Sequence, residues 1–173
     1  FVVFDIETTG LSPQYDKITE IGAAKIENGV IVDTFNQLIN PEKLIPRKVE
    51  SLTGITNEMV KDKPLINQVL TEFIQFCEDA VLVAHNADFD TSFIFKNVND
   101  LNLNFRPPYI DTLPMARVIL TDLKRHRLDT LTKYYKITLE NHHRAKDDAV
   151  ATAHVFMKLL ETEGIKPPFS LTK

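Results

Sequence analysis

Two short segments constrain the fold most: Phe1-Val2-Val3-Phe4, running into Asp5-Ile6, and Ala80-Val81-Leu82-Val83-Ala84. Each is almost wholly apolar, rich in β-branched or small residues, and too short for a helix, so each reads as a buried strand. Ile18 to Ile26 supplies another strand, with Ile18, Glu20, Gly22, Ala24 and Ile26 on one face by period two. Glu27-Asn28-Gly29 is a hairpin signal, because Asn-Gly favours the positive dihedrals of a type I′ turn. The third strand then runs antiparallel from Val30 to about Ile39, before Pro41. After Pro46 the pattern turns helical, and Leu65, Ile66, Val69, Leu70, Phe73, Ile74 and Cys77 form one apolar stripe. A helix is predicted from about Phe89 to Leu101, and a short strand at Tyr109-Ile110-Asp111 after the Arg106-Pro107-Pro108 break. The C-terminal third reads as helices over Leu113–Leu120, Leu128–Tyr135 and Asp147 to about Thr162. A βββ-α-β-α-β-α order predicts an α/β or α+β layered domain with a mixed sheet.

The length of 173 residues suits one domain with one core. Lys and Arg number 20 against 24 Asp and Glu, a net charge of −4, which excludes a protein that coats nucleic acid with a basic surface. It does not exclude an enzyme that grips nucleic acid locally and neutralises its own carboxylates with metal. The lone Cys77 excludes an internal disulfide framework and suits a reducing, cytoplasmic setting. No apolar run approaches the roughly 20 residues of a membrane helix, so no membrane partner is expected. The chain opens at Phe1 inside an apolar run, as a domain cut from a longer protein would.

Three polar clusters interrupt this pattern. Asp5 and Glu7, two apart, point to the same side of an extended chain, at the carboxyl edge of the first strand. Two carboxylates aimed at one place repel each other, and a divalent cation offsets that repulsion. His85-Asn86-Ala87-Asp88-Phe89-Asp90 follows the second buried strand, with Asp90 in the first turn of the next helix. His142-His143-Arg144-Ala145-Lys146-Asp147-Asp148 precedes the last helix, with His143 on the entering loop and Asp148 five residues on. A loop His suits proton transfer near neutral pH. Each cluster alone has a bland alternative: a solvated strand end, a helix cap by Asn86 or Asp88, or an N-cap by Asp147.

Together, Phe4-Asp5-Ile6-Glu7-Thr8-Thr9-Gly10, His85-Asn86-Ala87-Asp88-Phe89-Asp90 and His143-(four residues)-Asp148 resemble the three motifs of the DnaQ-like, DEDDh family of 3′→5′ exonucleases. The likeness runs in order from Phe1 to about Ile165. It implies a ribonuclease-H-like fold, a mixed five-stranded sheet flanked by helices, over residues 1–165, with 166–173 as a tail. It also implies four metal-binding carboxylates at Asp5, Glu7, Asp90 and Asp148, a general base at His143, and two Mg²⁺ or Mn²⁺ ions as cofactors. By analogy with the family, Thr8 and Leu11 would meet the terminal nucleotide, Phe89 and Ile55 would stack against the last bases, and Asn86 would join the substrate contacts. Leu52-Thr53-Gly54-Ile55-Thr56, His126-Arg127-Leu128-Asp129-Thr130-Leu131 and His142-His143-Arg144-Ala145 are most similar to the proofreading exonuclease domains inside PolC-type bacterial replicative polymerases. The implied partners are a DNA 3′ end, single-stranded or frayed, and the rest of a parent polymerase polypeptide. Lys124, Arg125, Arg127, Arg144 and Lys146 lie near the motifs and are candidates for phosphate contacts, while Asp129 reads as a helix cap.

Three rivals remain at this level. An aspartyl-phosphate phosphatase also places an acid two residues after a strand-ending Asp, but it leaves His143 and the His85–Asp90 cluster unexplained. A non-catalytic docking module on the same fold would be expected to have lost at least one of the five polar positions, and all are present. An RNA-trimming DEDDh exoribonuclease would carry the same motifs.

Overall fold

The computed structural model describes residues 1–139 and 141–165; Glu140 and the expected tail at 166–173 lie outside the described residues. Five strands, β1 (Val2–Thr8), β2 (Ile18–Glu27), β3 (Val30–Leu38), β4 (Leu82–Ala84) and β5 (Tyr109–Asp111), form one sheet in the order β3-β2-β1-β4-β5. β1 pairs antiparallel with β2 and parallel with β4, and β4 pairs parallel with β5, so the sheet is mixed as expected. The β2–β3 hairpin turns at Asn28 and Gly29, both at positive φ, 50° and 79°.

Among the described residues, seven helices alternate with or follow the strands: α1 (Arg47–Thr53), α2 (Asn57–Val60) and α3 (Ile66–Cys77) before β4, α4 (Ala87–Asp100) before β5, then α5 (Thr112–Ile119), α6 (Leu128–Tyr135) and α7 (Ala145–Thr162). The pleat of β1 sorts them. Val2, Phe4 and Ile6 join Phe73, Phe93 and Ile94 in the core beneath α3 and α4, whereas Val3 meets Ala153 and Phe156 of α7 on the other face. Phe4, Phe73, Phe93 and Phe156 are fully buried, each worth about 1.5–3 kcal/mol of burial. Asp5 and Glu7 share the parity of Val3 and therefore face α7.

Several boundaries differ from the sequence expectation. β1 continues to Thr8, so Asp5 and Glu7 lie within the strand, held by pairing with Gly22 and Glu20 of β2, instead of following it. A register shift between Glu7 and Thr8 moves Ile18 into the α3/α4 core, which breaks the single face expected for Ile18 to Ile26. Periodicity does not separate α1 and α2 as helices; both are short, and α1 ends on Gly54 in the left-handed region at φ 71°. Helix α7 begins at Ala145, with Arg144 at the N-cap and no side-chain cap, so Asp147 is not the cap but lies in the first turn beside Asp148. Asp129 likewise falls in the first turn of α6, whose N-cap is Arg127.

The start of α7 lies directly on β2. A Cβ at Gly22 would fall 2.1 Å from the Lys146 nitrogen and 2.2 Å from the Ala145 carbonyl carbon. Only glycine permits that approach, and it brings the first turn of α7 over the strand pair that carries Asp5 and Glu7.

Candidate active site

The convergence begins with pairing. Glu7 and Glu20 are direct cross-strand partners, an arrangement that like charges disfavour. Arg144 relieves it: its Nε and a terminal nitrogen donate to the two Glu20 carboxylate oxygens at 3.1 and 2.7 Å, and the Ala145 N–H donates to the same carboxylate at 3.1 Å. Glu20 is fully buried. Arg144 therefore anchors the start of α7 to the sheet, which corrects its expected place among the phosphate contacts. Sequence reasoning missed Glu20, and its only signal was an acid on an otherwise apolar strand face.

With α7 so placed, carboxylate oxygens of Asp5, Glu7 and Asp148 lie within 4.8 Å of one another. Asp90, buried in the first turn of α4, accepts a hydrogen bond from the Ile6 N–H at 3.1 Å, so it is tied to the strand segment between the other two acids. The four acids act on one another electrostatically. Burial first, then Asp90, Glu7 and Asp148, push the Asp5 carboxyl well above the usual range. Burial, then Asp148 and Glu20, push Glu7 up to about 9, and burial pushes Asp90 up to about 8 against the pull of its backbone hydrogen bonds. Arg144, whose charge also acts on Glu7, is already engaged by Glu20. Carboxylates gathered with so little counter-charge, all hard oxygen donors, fit divalent cations of the Mg²⁺ or Mn²⁺ type. DEDDh exonucleases are divalent-metal-dependent.

The His142–His143 pair closes the other side. The His143 N–H donates to one Asp148 oxygen at 3.0 Å, and His142 Nδ1 lies 3.0 Å from the other. The two imidazoles stack with centroids 3.9 Å apart, and His143 adopts φ 68°. Ring nitrogens of both fall within 4.8 Å of the Asp148 carboxylate, a second grouping that shares Asp148 with the first. The motif spacing alone assigns His142 no part. Burial, then His142, hold the His143 pKa below its ordinary value, with Arg127 adding to the same effect against Asp148. The ring is therefore neutral near pH 7 and able to accept a proton.

The residues expected to meet substrate divide into three groups. Thr8, Leu11 and Phe89 line a cleft of about 420 Å³ beside Glu7, walled also by Leu52 and Thr53. Thr8 donates its hydroxyl to the Gly10 carbonyl, and Leu11 is 85% exposed. Ile55 is corrected: it is fully buried with Ile45 and Val60 in a small core of its own, because the turn after Gly54 points it inward, and it offers no face to a base. Asn86 is exposed at the N-cap of α4 in the left-handed region and lies on a different cavity, beside His85 and His143. His85 bonds Thr112 Oγ1 through Nδ1 at 2.8 Å.

Known proteins agree with this geometry. The family model RNase_T, described as an exonuclease, matches residues 2–156. The DNA polymerase III PolC-type of Caldanaerobacter subterraneus subsp. tengcongensis is 52% identical over 161 residues, 93% of this chain and 12% of that protein; the chain thus spans a small part of the curated relative. Among solved structures, exonuclease X in complex with 5′ overhanging duplex DNA superposes with a TM-score of 0.78 at 28% identity, covering 94% of this chain and 92% of that one. The nuclease domain of 3′hExo, a DEDDh family member bound to rAMP, superposes with a TM-score of 0.79 at 19% identity over 99% and 96% of the two chains, a likeness of fold. A family model that matches residues 2–156, with relatives of this likeness, makes this chain a member of the DnaQ-like, DEDDh exonuclease family.

Proposed function

We propose that this chain hydrolyses DNA stepwise from the 3′ end, releasing nucleoside 5′-monophosphates, as the proofreading part of a PolC-type replicative polymerase. The observation that carries the reading is the meeting of Asp5, Glu7 and Asp148 within 4.8 Å, with Asp90 hydrogen-bonded to the strand between them. Two divalent ions held by these four acids would supply an activated water and stabilise the departing 3′ oxygen. The protein's own part is positional and proton-handling. Pairing with β2 fixes Asp5 and Glu7, the bond from the Ile6 N–H ties Asp90 to the strand between them, and the Glu20–Arg144 pair holds the start of α7, with Asp148, against the sheet. His143, neutral and beside Asp148, takes the proton of the attacking water. Thr8, Leu11 and Phe89 hold the terminal nucleoside in the cleft next to Glu7, whose apolar wall suits a base of any identity. The PolC-type likeness supports DNA, rather than RNA, as the substrate.

The test is incubation of 3′- and 5′-labelled single-stranded DNA and RNA with Mn²⁺. Stepwise shortening from the 3′ end, faster on DNA and abolished by EDTA, is expected. Endonucleolytic nicking, or equal turnover in EDTA, contradicts the proposal.

A further inference from the structure

A larger cavity, of about 570 Å³, shares no lining residue with the Thr8–Phe89 cleft. One wall is the catalytic edge itself: Asn86, His142 and His143. The other is the last turn of α5, bearing Arg117, and the segment from α5 to α6, bearing Lys124, Arg125 and Arg127. Arg127 lies 4.0 Å from Asp129. Among the described residues, Arg117, Lys124 and Arg125 have no carboxylate within salt-bridge distance. The segment is nonetheless pinned: His126 Nε2 bonds the Leu120 carbonyl at 2.9 Å, and Leu128 is buried at the start of α6. In a chain of net charge −4, four cations facing one carboxylate, Asp129, around a nucleotide-sized hollow call for an anionic occupant.

One hollow is lined by Glu7 and the other by the His142–His143 pair that bonds Asp148, and they differ in chemistry, one partly apolar and the other rich in cations. From this we infer that the cavity between Asn86–His143 and Lys124–Arg127 takes the sugar–phosphate backbone on the 5′ side of the bond to be cut. The inference rests on the exonuclease reading and adds a direction to it. The terminal nucleoside enters the Thr8–Phe89 cleft, the scissile phosphate lies at the acids, and the rest of the strand leaves over Lys124, Arg125 and Arg117. Asn86, on the wall of this cavity, faces an upstream nucleotide instead of the terminal one.

The test is equilibrium binding of a 3′-hydroxyl thymidine decamer in EDTA, read by fluorescence anisotropy, with gels confirming that the strand stays intact. Lys124→Gln/Arg125→Gln is expected to bind about tenfold more weakly at low salt, with a salt slope shallower by about 0.7 for each phosphate that the variant leaves without its cation. Lys124→Arg/Arg125→Lys keeps the charge and should keep most of the affinity. A decamer whose linkages upstream of the terminal one are neutral methylphosphonates should bind the original chain and the Gln variant alike. Equal affinities and slopes on ordinary DNA, or an equal loss on the neutral strand, overturn the inference. Because the readout is binding, it is separate from the exonuclease proposal, which fails if the unaltered chain nicks internally or shows no metal-dependent trimming from the 3′ end.

Discussion

Asp148 belongs to two groups that differ in kind. Toward the sheet it meets Asp5 and Glu7, all oxygen donors, on a strand paired with β2 at both positions. Toward solvent it meets His142 and His143, nitrogen donors on a loop, one of them at positive φ. The first group is rigid and electrostatically unsatisfied, and the second is exposed and already hydrogen-bonded to Asp148. Hard cations prefer the first by both donor type and charge. The second is suited to moving a proton. One side chain thus joins a metal-holding half to a proton-handling half, and the two halves should respond differently to substitution.

The largest expected effect separates them at once. Asp5→Asn should lower kcat by about a thousandfold or more, with a much smaller change in DNA affinity, because it removes an oxygen from the centre of the acid group. His143→Ala should cost about a hundredfold to a thousandfold in kcat, in the range of a lost general base, whereas His142→Ala should cost less than about tenfold. If the two His variants are equally impaired, the imidazole half acts as a ligand pair and not through one base. Gly22→Ala tests the link between the halves. Its methyl group meets α7 backbone, so a stability loss of about 1–3 kcal/mol in urea melts is expected, together with reduced kcat as Asp148 is lifted from Asp5. The smallest effect is a shift with pH. Glu7 and Asp90 keep their protons up to about 9 and about 8 in the folded chain but ionise near pH 4 when unfolded. Between those values the folded state binds more protons, so in EDTA the melting temperature should fall as pH rises from 5.5 to 8. Mn²⁺ should raise it more at pH 8 than at pH 5.5. A melting temperature that climbs over that interval in EDTA contradicts the electrostatics of the acid group.

Much of this was legible in the chain. The unbroken apolar runs at Phe1–Phe4 and Ala80–Ala84 marked two central strands, and Asn28-Gly29 marked the hairpin, because buried strands and type I′ turns leave strong local signals. The spacing of Asp5 and Glu7 predicted their common face. What depended on tertiary approach was not legible. Ile55 looks like any apolar residue near a motif, and only the turn after Gly54 reveals that it points inward. Glu20 and Arg144 are 124 residues apart, and no periodicity joins them. The register shift at Thr8 reversed the face of Ile18 without any mark in composition.

The most direct test of the central claim is a crystal of the chain soaked in Mn²⁺ and measured at the manganese absorption edge. The account predicts anomalous peaks among the carboxylates of Asp5, Glu7, Asp90 and Asp148, lost in Asp5→Asn. A peak between His142 and His143 with none beside Asp5 would contradict it.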